Sequence, residues 1–426
     1  MGLSVIALFF LLFILGFPVV LAIVFPAVLY IFLNDIPIEL VSQRMHFALA
    51  DSYTLIAVPV FIFVGNLMNS AGITRRIFKF ADTLVGRMPG GLAQVNIFAS
   101  LIFSGMSGAA LADVGGLGQI EIQAMKEKGF TSSFSGAVTC ASATVGPIFP
   151  PSIPLVIYGS VTGVSIVKLL IGGIIPALVA VFMLMIVTGA VSIIRNYPRA
   201  ERWPTVREIV QDALPAIPAL LAPVLLVAGM LMGFFTPTEA ASATFAYVVL
   251  ITVFIYRDLT WEHLKMSAIN TVKATSSILV IVAAAALFGW ILAIEQVPQM
   301  FGKFLLNISD NPAVLLAIVN GILLIVGMFL DSTTATLLII PILMSPVVAA
   351  GVDPVHFGLV AVFNLMIGLM TPPMGLSLFM ISDVAKVSIN AVLRELWPFF
   401  IALLVTLALL TYVPELSLWI PNMVGR

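Results

Sequence analysis

Seven stretches of this chain, 3–33, 53–71, 164–194, 213–235, 237–256, 274–294 and 389–412, are apolar over the roughly 20 residues that a helix needs to cross a hydrocarbon layer. That sets the solvent before it sets the fold. A soluble domain carries about 25% charged residues, whereas this chain carries 9% against 61% hydrophobic. The expected class is an all-α polytopic membrane protein. Other classes drop out. The net charge of -1 gives no basis for nucleic-acid binding. Cys140 has no second cysteine to pair with, and with His46, His263 and His356 scattered a transition-metal site is not expected. No phosphate loop, His-Glu-x-x-His or Gly-x-Ser-x-Gly pattern points to an enzyme. The N-terminus lacks a basic n-region and a clear cleavage site, and reads as a retained helix.

Four further stretches, 91–126, 131–158, 312–350 and 357–381, are apolar but interrupted midway by small polar residues or prolines. Basic residues orient the whole set, because cytoplasmic loops collect Lys and Arg. Placing the loops with Arg75, Arg76, Lys79 and Arg87, then Lys126 and Lys128, inside puts 15 of the 19 basic residues on the cytoplasmic face. The C-terminus then lies outside. Whether 3–33 is one helix or two pieces broken near Gly16–Pro18 is open at this level.

A shift of 222 positions lays the chain on itself. Gly105-Met106 falls on Gly327-Met328, Gly129 on Gly351, Gly136 on Gly358, Gly146 on Gly368, Pro150-Pro151 on Pro372-Pro373 and Pro176 on Pro398. These residue types set backbone geometry, so the match is one of shape. The ends of 91–126 are flanked by Arg87, Lys126 and Lys128, and those of 312–350 by Lys303, Asp310 and Asp353. Each segment therefore enters and leaves by one face, as a re-entrant hairpin, and the two face opposite ways. The chain divides into inverted repeats, 1–200 and 201–426. Each holds a hairpin and a broken helix, a pattern of secondary transporters.

The breaks carry the candidate chemistry. Hairpin one turns over Ser104-Gly105-Met106-Ser107-Gly108-Ala109-Ala110 with Asp113 behind it, and hairpin two over Gly327–Thr334 with Asp331. Freed carbonyls, hydroxyls and a carboxylate suit a hard cation such as sodium. The cation candidates are Ser104, Gly105, Ser107, Gly108 and Asp113 with Gly146, and Gly327, Asp331, Ser332, Thr333 and Thr334 with Gly368 and Met370. Small residues at such tips also permit close helix packing, and the aspartates also suit a structural bond to the hairpin backbone. At the twin prolines a helix must stop, which exposes amide donors suited to an anion. Candidate solute residues are Ser142, Thr144, Pro150, Pro151 and Ser152, and Asn364, Thr371, Pro372, Pro373 and Gly375. Glu239, in Thr236-Pro237-Thr238-Glu239, suits coupling machinery or a structural role. The amphipathic segments 35–52 and 73–86, with their counterparts 257–271 and 295–311, read as arms linking a scaffold to a moving unit.

Phe235-Thr236-Pro237-Thr238-Glu239-Ala240-Ala241, Pro150-Pro151-Ser152-Ile153-Pro154 with Tyr158-Gly159, and Thr371-Pro372-Pro373-Met374-Gly375 resemble the large membrane subunit of tripartite ATP-independent periplasmic (TRAP) transporters, over essentially the whole chain. The resemblance implies an elevator-type fold of the ion transporter superfamily in the bacterial inner membrane. It implies sodium-driven uptake of small organic anions such as C4-dicarboxylates and sialic acid, with sodium at the hairpin tips. It implies two partners, a small four-helix membrane subunit, here expected as a separate chain, and a periplasmic substrate-binding protein.

Overall fold

The computed structural model describes residues 2–108 and 110–424, with the side chains at 104–107, 112 and 424 outside that description. Among the described residues nine helices are long and apolar enough to cross a bilayer. Their outer faces carry large apolar groups, as along Leu178, Phe182, Ile186 and Ile193 of the helix Ile174–Ile194, which is the kind of surface that lipid solvates.

The structure settles one segment the sequence left open and refines two others. The 3–33 run is two helices, Gly2–Ile14 and Val19–Leu33, separated where Gly16 takes φ 85° and Pro18 withholds an N–H. The 164–194 run bends at Gly173 between Ile166–Gly172 and Ile174–Ile194. The arm expected over 257–271 is not separate. It is the first part of one helix, Trp261–Ile294, which Thr260 caps by accepting from His263 N–H at 3.2 Å. Neither glycine nor proline stands between Trp261 and Phe288, so nothing stops the helix where its polar face ends.

The 222-residue shift reappears in the elements. Leu92–Ser107 falls on Pro312–Phe329, and the pair Ala110–Gly115 and Leu117–Glu127 on Ser332–Ala349. Ser132–Ala143 falls on Pro354–Gly368, Ile153–Thr162 on Leu376–Ala385, and the arm Ile73–Val85 on Val297–Ile308. Local chemistry starts these helices. Asp331 and Asp353 each accept from two backbone N–H groups of the turn that follows, caps of about 1 kcal/mol each.

Two groups of helices emerge. Hairpins, broken helices and the helices Ile174–Ile194 and Ile389–Tyr412 pack on one another. A frame forms from Val19–Leu33, Ala57–Ser70, Val206–Leu231, Pro237–Leu250 and Trp261–Ile294. The arms lie between. Ile73–Val85 touches the first hairpin arm and Val206–Leu231, and Val297–Ile308 touches Ser332–Ala349 and Trp261–Ile294. Ion pairs tie the first arm to the frame side, Lys79 to Asp212 at 2.7 Å and Arg76 to Asp258 at 2.6 Å.

Candidate functional site

Both hairpins turn more tightly than the sequence suggests. The helix Leu92–Ser107 carries Ser104, Gly105 and Ser107 within it, so their backbone stays helical, and their side chains lie outside the described residues, as does Ala109. Gly108, at φ 63°, begins the turn. In the second hairpin Gly327 is helical and the turn is Leu330–Asp331. The wide unwound tips expected over 104–110 and 327–334 are thus corrected. Small residues let these helices run to the tip, and Gly327 shows why. A Cβ on Gly368 would stand 2.5 Å from Gly327 C, and one on Gly327 would stand 3.2 Å from Gly368 Cα. Backbone meets backbone there with no room for a methyl group.

Each tip is sewn to the break that follows it. Ile153 N–H donates to Gly108 O at 3.4 Å, and Gly375 N–H donates to Met328 O at 3.3 Å. Ile153 and Gly375 are themselves related by the 222-residue shift and each stands two residues past its twin proline; Pro150–Pro151 and Pro372–Pro373 are both cis. Ser152 caps the second half of broken helix one, accepting from Leu155 N–H at 3.1 Å while its hydroxyl donates to Pro147 O.

The first arm of each hairpin is also fastened to its broken helix. Ser142 donates to Asn96 Oδ1 at 2.8 Å and accepts from Ser100 at 3.0 Å, and Asn96 donates to Thr139 at 2.7 Å. Its counterpart Asn364 donates to Asn320 O and Oδ1, both at 2.9 Å, and Asn320 donates to Thr411 at 2.8 Å. Ser142 and Asn364, 222 residues apart, hold equivalent contacts by different chemistry.

A cavity of about 520 Å³ lies between the two helix groups. From the hairpin side it is lined by Gly108, Asp331, Ser332 and Thr333, with Pro147, Ile153 and Leu369 of the breaks. From the frame come Asn66 and Asn69 of Ala57–Ser70, and Asn270 and Ser277 of Trp261–Ile294. Among the described residues no Lys or Arg lines it, and the one carboxylate that does, Asp331, is engaged with Thr333 N–H, Thr334 N–H and the Thr334 hydroxyl.

The structure thus brings four of the cation candidates, Gly108, Asp331, Ser332 and Thr333, to the cavity wall. Gly327, Thr334, Gly368 and Met370 sit behind the second tip, and Gly146 behind the first, all buried. Asp113 is buried on the second arm of hairpin one, as is Glu121. The solute candidates stand back from this surface. Ser142 and Asn364 serve the contacts above, Thr144 donates to Ala141 O at 2.7 Å and Thr371 to Ile367 O at 2.8 Å. Pro150, Pro151 and Ser152 are buried, while Pro372 and Pro373 are exposed and Gly375 is buried at φ 31°. Glu239 forms a capping box with Thr236, whose N–H donates to it at 2.8 Å, which gives Thr-Pro-Thr-Glu a helix-starting role.

Residues 6–416 match the profile of the family described as the tripartite ATP-independent periplasmic transporter, DctM component. The chain belongs to this family. It is 42% identical over 412 residues, 96% of its own length and 95% of the relative's, to the sialic acid TRAP transporter large permease protein SiaM of Vibrio cholerae. It is 35% identical, over 89% of its length and 88% of the relative's, to the C4-dicarboxylate TRAP transporter large permease protein DctM of Pseudomonas aeruginosa. The fold is shared with the Alcanivorax borkumensis YdaH transporter, known from a crystal structure, at TM-score 0.58, 12% identity and coverage of 90% and 89% of the two chains. This TRAP large permease is therefore a multi-pass protein of the bacterial inner membrane, a transporter component rather than a member of a catalytic family.

The frame residues Asn66, Asn69, Asn270 and Ser277 were not singled out by the sequence. Their signal is weak, since amides near a helix end are ordinary. Only the cavity shared with hairpin residues more than 200 positions away in the chain distinguishes Asn66.

Proposed function

We propose that this TRAP permease imports a carboxylate-bearing solute of the sialic acid type, driven by sodium, by moving its hairpin group as one body past its frame. The observation that carries the reading is the cavity, walled on one side by both hairpin tips and on the other by the frame. Four backbone and side-chain links, whose broken-helix ends are paired 222 residues apart, hold hairpins and broken helices together, so the half-site moves without being dismantled. The repeats 1–200 and 201–426, oriented oppositely by their basic residues, supply two exchanged end states.

Sodium is here a transported ion. The oxygen-rich second tip (Asp331, Ser332, Thr333 and Thr334 with the carbonyls of Gly368 and Met370) and the first tip around Gly108 and Asp113 are its proposed sites. An anion entering a cavity that lacks Lys and Arg and contains Asp331 requires compensating positive charge, which co-bound sodium supplies. The solute meets Ser332 and Thr333 on the moving side, with Ser142–Ser152 and Asn364–Gly375 shaping the wall behind. Sialic acid is favoured over a C4-dicarboxylate by the 42% identity to SiaM against 35% to DctM, and the cavity has room for a sugar acid. The partners proposed are the small membrane subunit, on the exposed face of Val206–Leu231, and a periplasmic binding protein that delivers the solute.

The test is uptake of N-acetylneuraminic acid into proteoliposomes holding the permease with its small subunit and binding protein. Uptake should need both an inward sodium gradient and the binding protein. Equal uptake after the sodium gradient is collapsed would refute the coupling, and equal uptake without the binding protein would refute the delivery.

A further inference from the structure

The polar residues of the frame wall come from both repeats, and none has a polar counterpart under the repeat relation. In a transporter of inverted repeats the two end states arise by exchanging the conformations of the two halves. Shifting a cavity residue of the frame by 222 therefore names the residue that takes its place when the opposite mouth is open. Asn66 becomes Phe288, Asn69 becomes Ile291, Asn270 becomes Ala48 and Ser277 becomes Leu55. Every polar frame residue of the cavity maps onto an apolar one. Three of the four mates are packed away in this conformation, with Phe288 2%, Ile291 0% and Leu55 5% exposed, and Ala48 is half-buried.

The amides facing the cavity have capacity to spare. Asn66 donates to Thr271 at 3.3 Å, which leaves its carbonyl and one N–H. Asn69 accepts from Thr74 at 3.3 Å, which leaves its amide N–H pair. Asn270 is exposed and lines the cavity, and its side chain makes no hydrogen bond among the described residues. Among the described residues of this wall there is no Lys or Arg, so the amides are its polar groups for an acidic solute.

We propose that Asn66, Asn69 and Asn270 form a one-sided half of the solute site, which hydrogen-bonds the hydroxyl and carboxylate oxygens of a bound sugar acid only in the state seen here. The opposite state presents apolar frame surface in their place, so the moving body holds the solute there with its own groups alone. Asn66 and Asn69 lie toward the end of Ala57–Ser70 that leads to Arg75 and Arg76, which puts the amide-lined mouth at the cytoplasmic face. The permease then grips its solute more weakly from outside than from inside, and capture from outside falls to a delivering protein. This inference rests on the two-body transport reading above.

The test measures apparent KM for N-acetylneuraminic acid from each face, by exchange in proteoliposomes of one orientation. The triple variant Asn66→Ala, Asn69→Ala, Asn270→Ala and its three single variants are compared with the unaltered complex. Each lost neutral hydrogen bond should raise KM at the cytoplasmic face about two- to ten-fold. KM at the outer face should change less than about two-fold. Equal rises at both faces, or none at the cytoplasmic face in variants with unaltered thermal stability, would overturn the one-sided site. Exchange in the unaltered complex that ignores sodium would instead overturn the transport reading beneath it. The single variants keep the test decisive if the triple variant fails to fold.

Discussion

Gly368→Ala probes the contact that closes the second hairpin against its broken helix. The added methyl would stand 2.5 Å from Gly327 C, 2.6 Å from its Cα and 2.8 Å from its O. All three are backbone atoms within a helix, so no side chain can rotate away and the two helices must separate. Overpacking of this kind costs about 1–3 kcal/mol, and the gain in helix propensity returns at most about 1 kcal/mol. The net expectation is a loss of roughly 1–2 kcal/mol. Gly321→Ala is the matched control. Gly321 lies in the hairpin helix that carries Gly327, Pro312–Phe329, and nothing stands within 4 Å of its Cβ position. Thermal melts of the purified protein should place Gly368→Ala below the unaltered protein and Gly321→Ala at or above it. Sodium-driven uptake should fall in Gly368→Ala alone, because the separated helices carry Leu369 and Asp331 at the cavity. Equal melting and uptake for both variants would refute the close-packing argument.

Asn364→Ala removes both bonds to Asn320, and should destabilise by about 1–3 kcal/mol in thermal melts. Lys79→Ala, which breaks an exposed ion pair, should cost less than about 1 kcal/mol. Asp331→Ala should raise the sodium concentration needed for half-maximal uptake, and unchanged sodium dependence in a well-expressed Asp113→Ala, Asp331→Ala double variant would exclude the tips as sodium sites. The Tyr30 hydroxyl, followed by the Gly2 N–H, holds Glu295 far below the ordinary carboxylate value of 4.5, at about 2. A lowered acid contributes stability above its unfolded pKa and loses it as pH falls through the folded one. The melting advantage of the unaltered protein over Glu295→Gln should therefore be full above about pH 5 and shrink progressively below 4.5 toward 2.

The spans, the repeat and the position of both breaks were legible because they depend on local properties. Apolar length marks a span, and glycine or proline at a fixed offset marks a bend. The 222-residue shift even pairs Ala110 with Ser332 at the start of each second hairpin arm. Turn width was not legible. Gly327 is small because another helix lies against it, and the same residue in sequence also suits an unwound loop. The broken-helix polar groups misled in a similar way. A hydroxyl or amide at mid-membrane needs a partner, and sequence alone does not say whether the partner is a solute or, as for Ser142 and Asn364, another helix of the protein. The frame asparagines were missed because a cavity between distant helices has no local signature.

The central claim, that the hairpins move as one body past the frame, is tested most directly by paired spin-label distances in a Cys140→Ala background. One pair, Ile281→Cys with Leu111→Cys, joins frame and hairpin across the cavity at residues given no binding role. The other, Gly115→Cys with Met380→Cys, joins hairpin one to broken helix two, where a Gly115 Cβ would lie 3.5 Å from Met380 Sδ. Adding sodium, N-acetylneuraminic acid and the binding protein should populate a second, longer distance for the first pair and leave the second pair's distance unchanged. A second distance that appears in the Gly115–Met380 pair, or a single fixed distance between Ile281 and Leu111 during active transport, would contradict the rigid-body account.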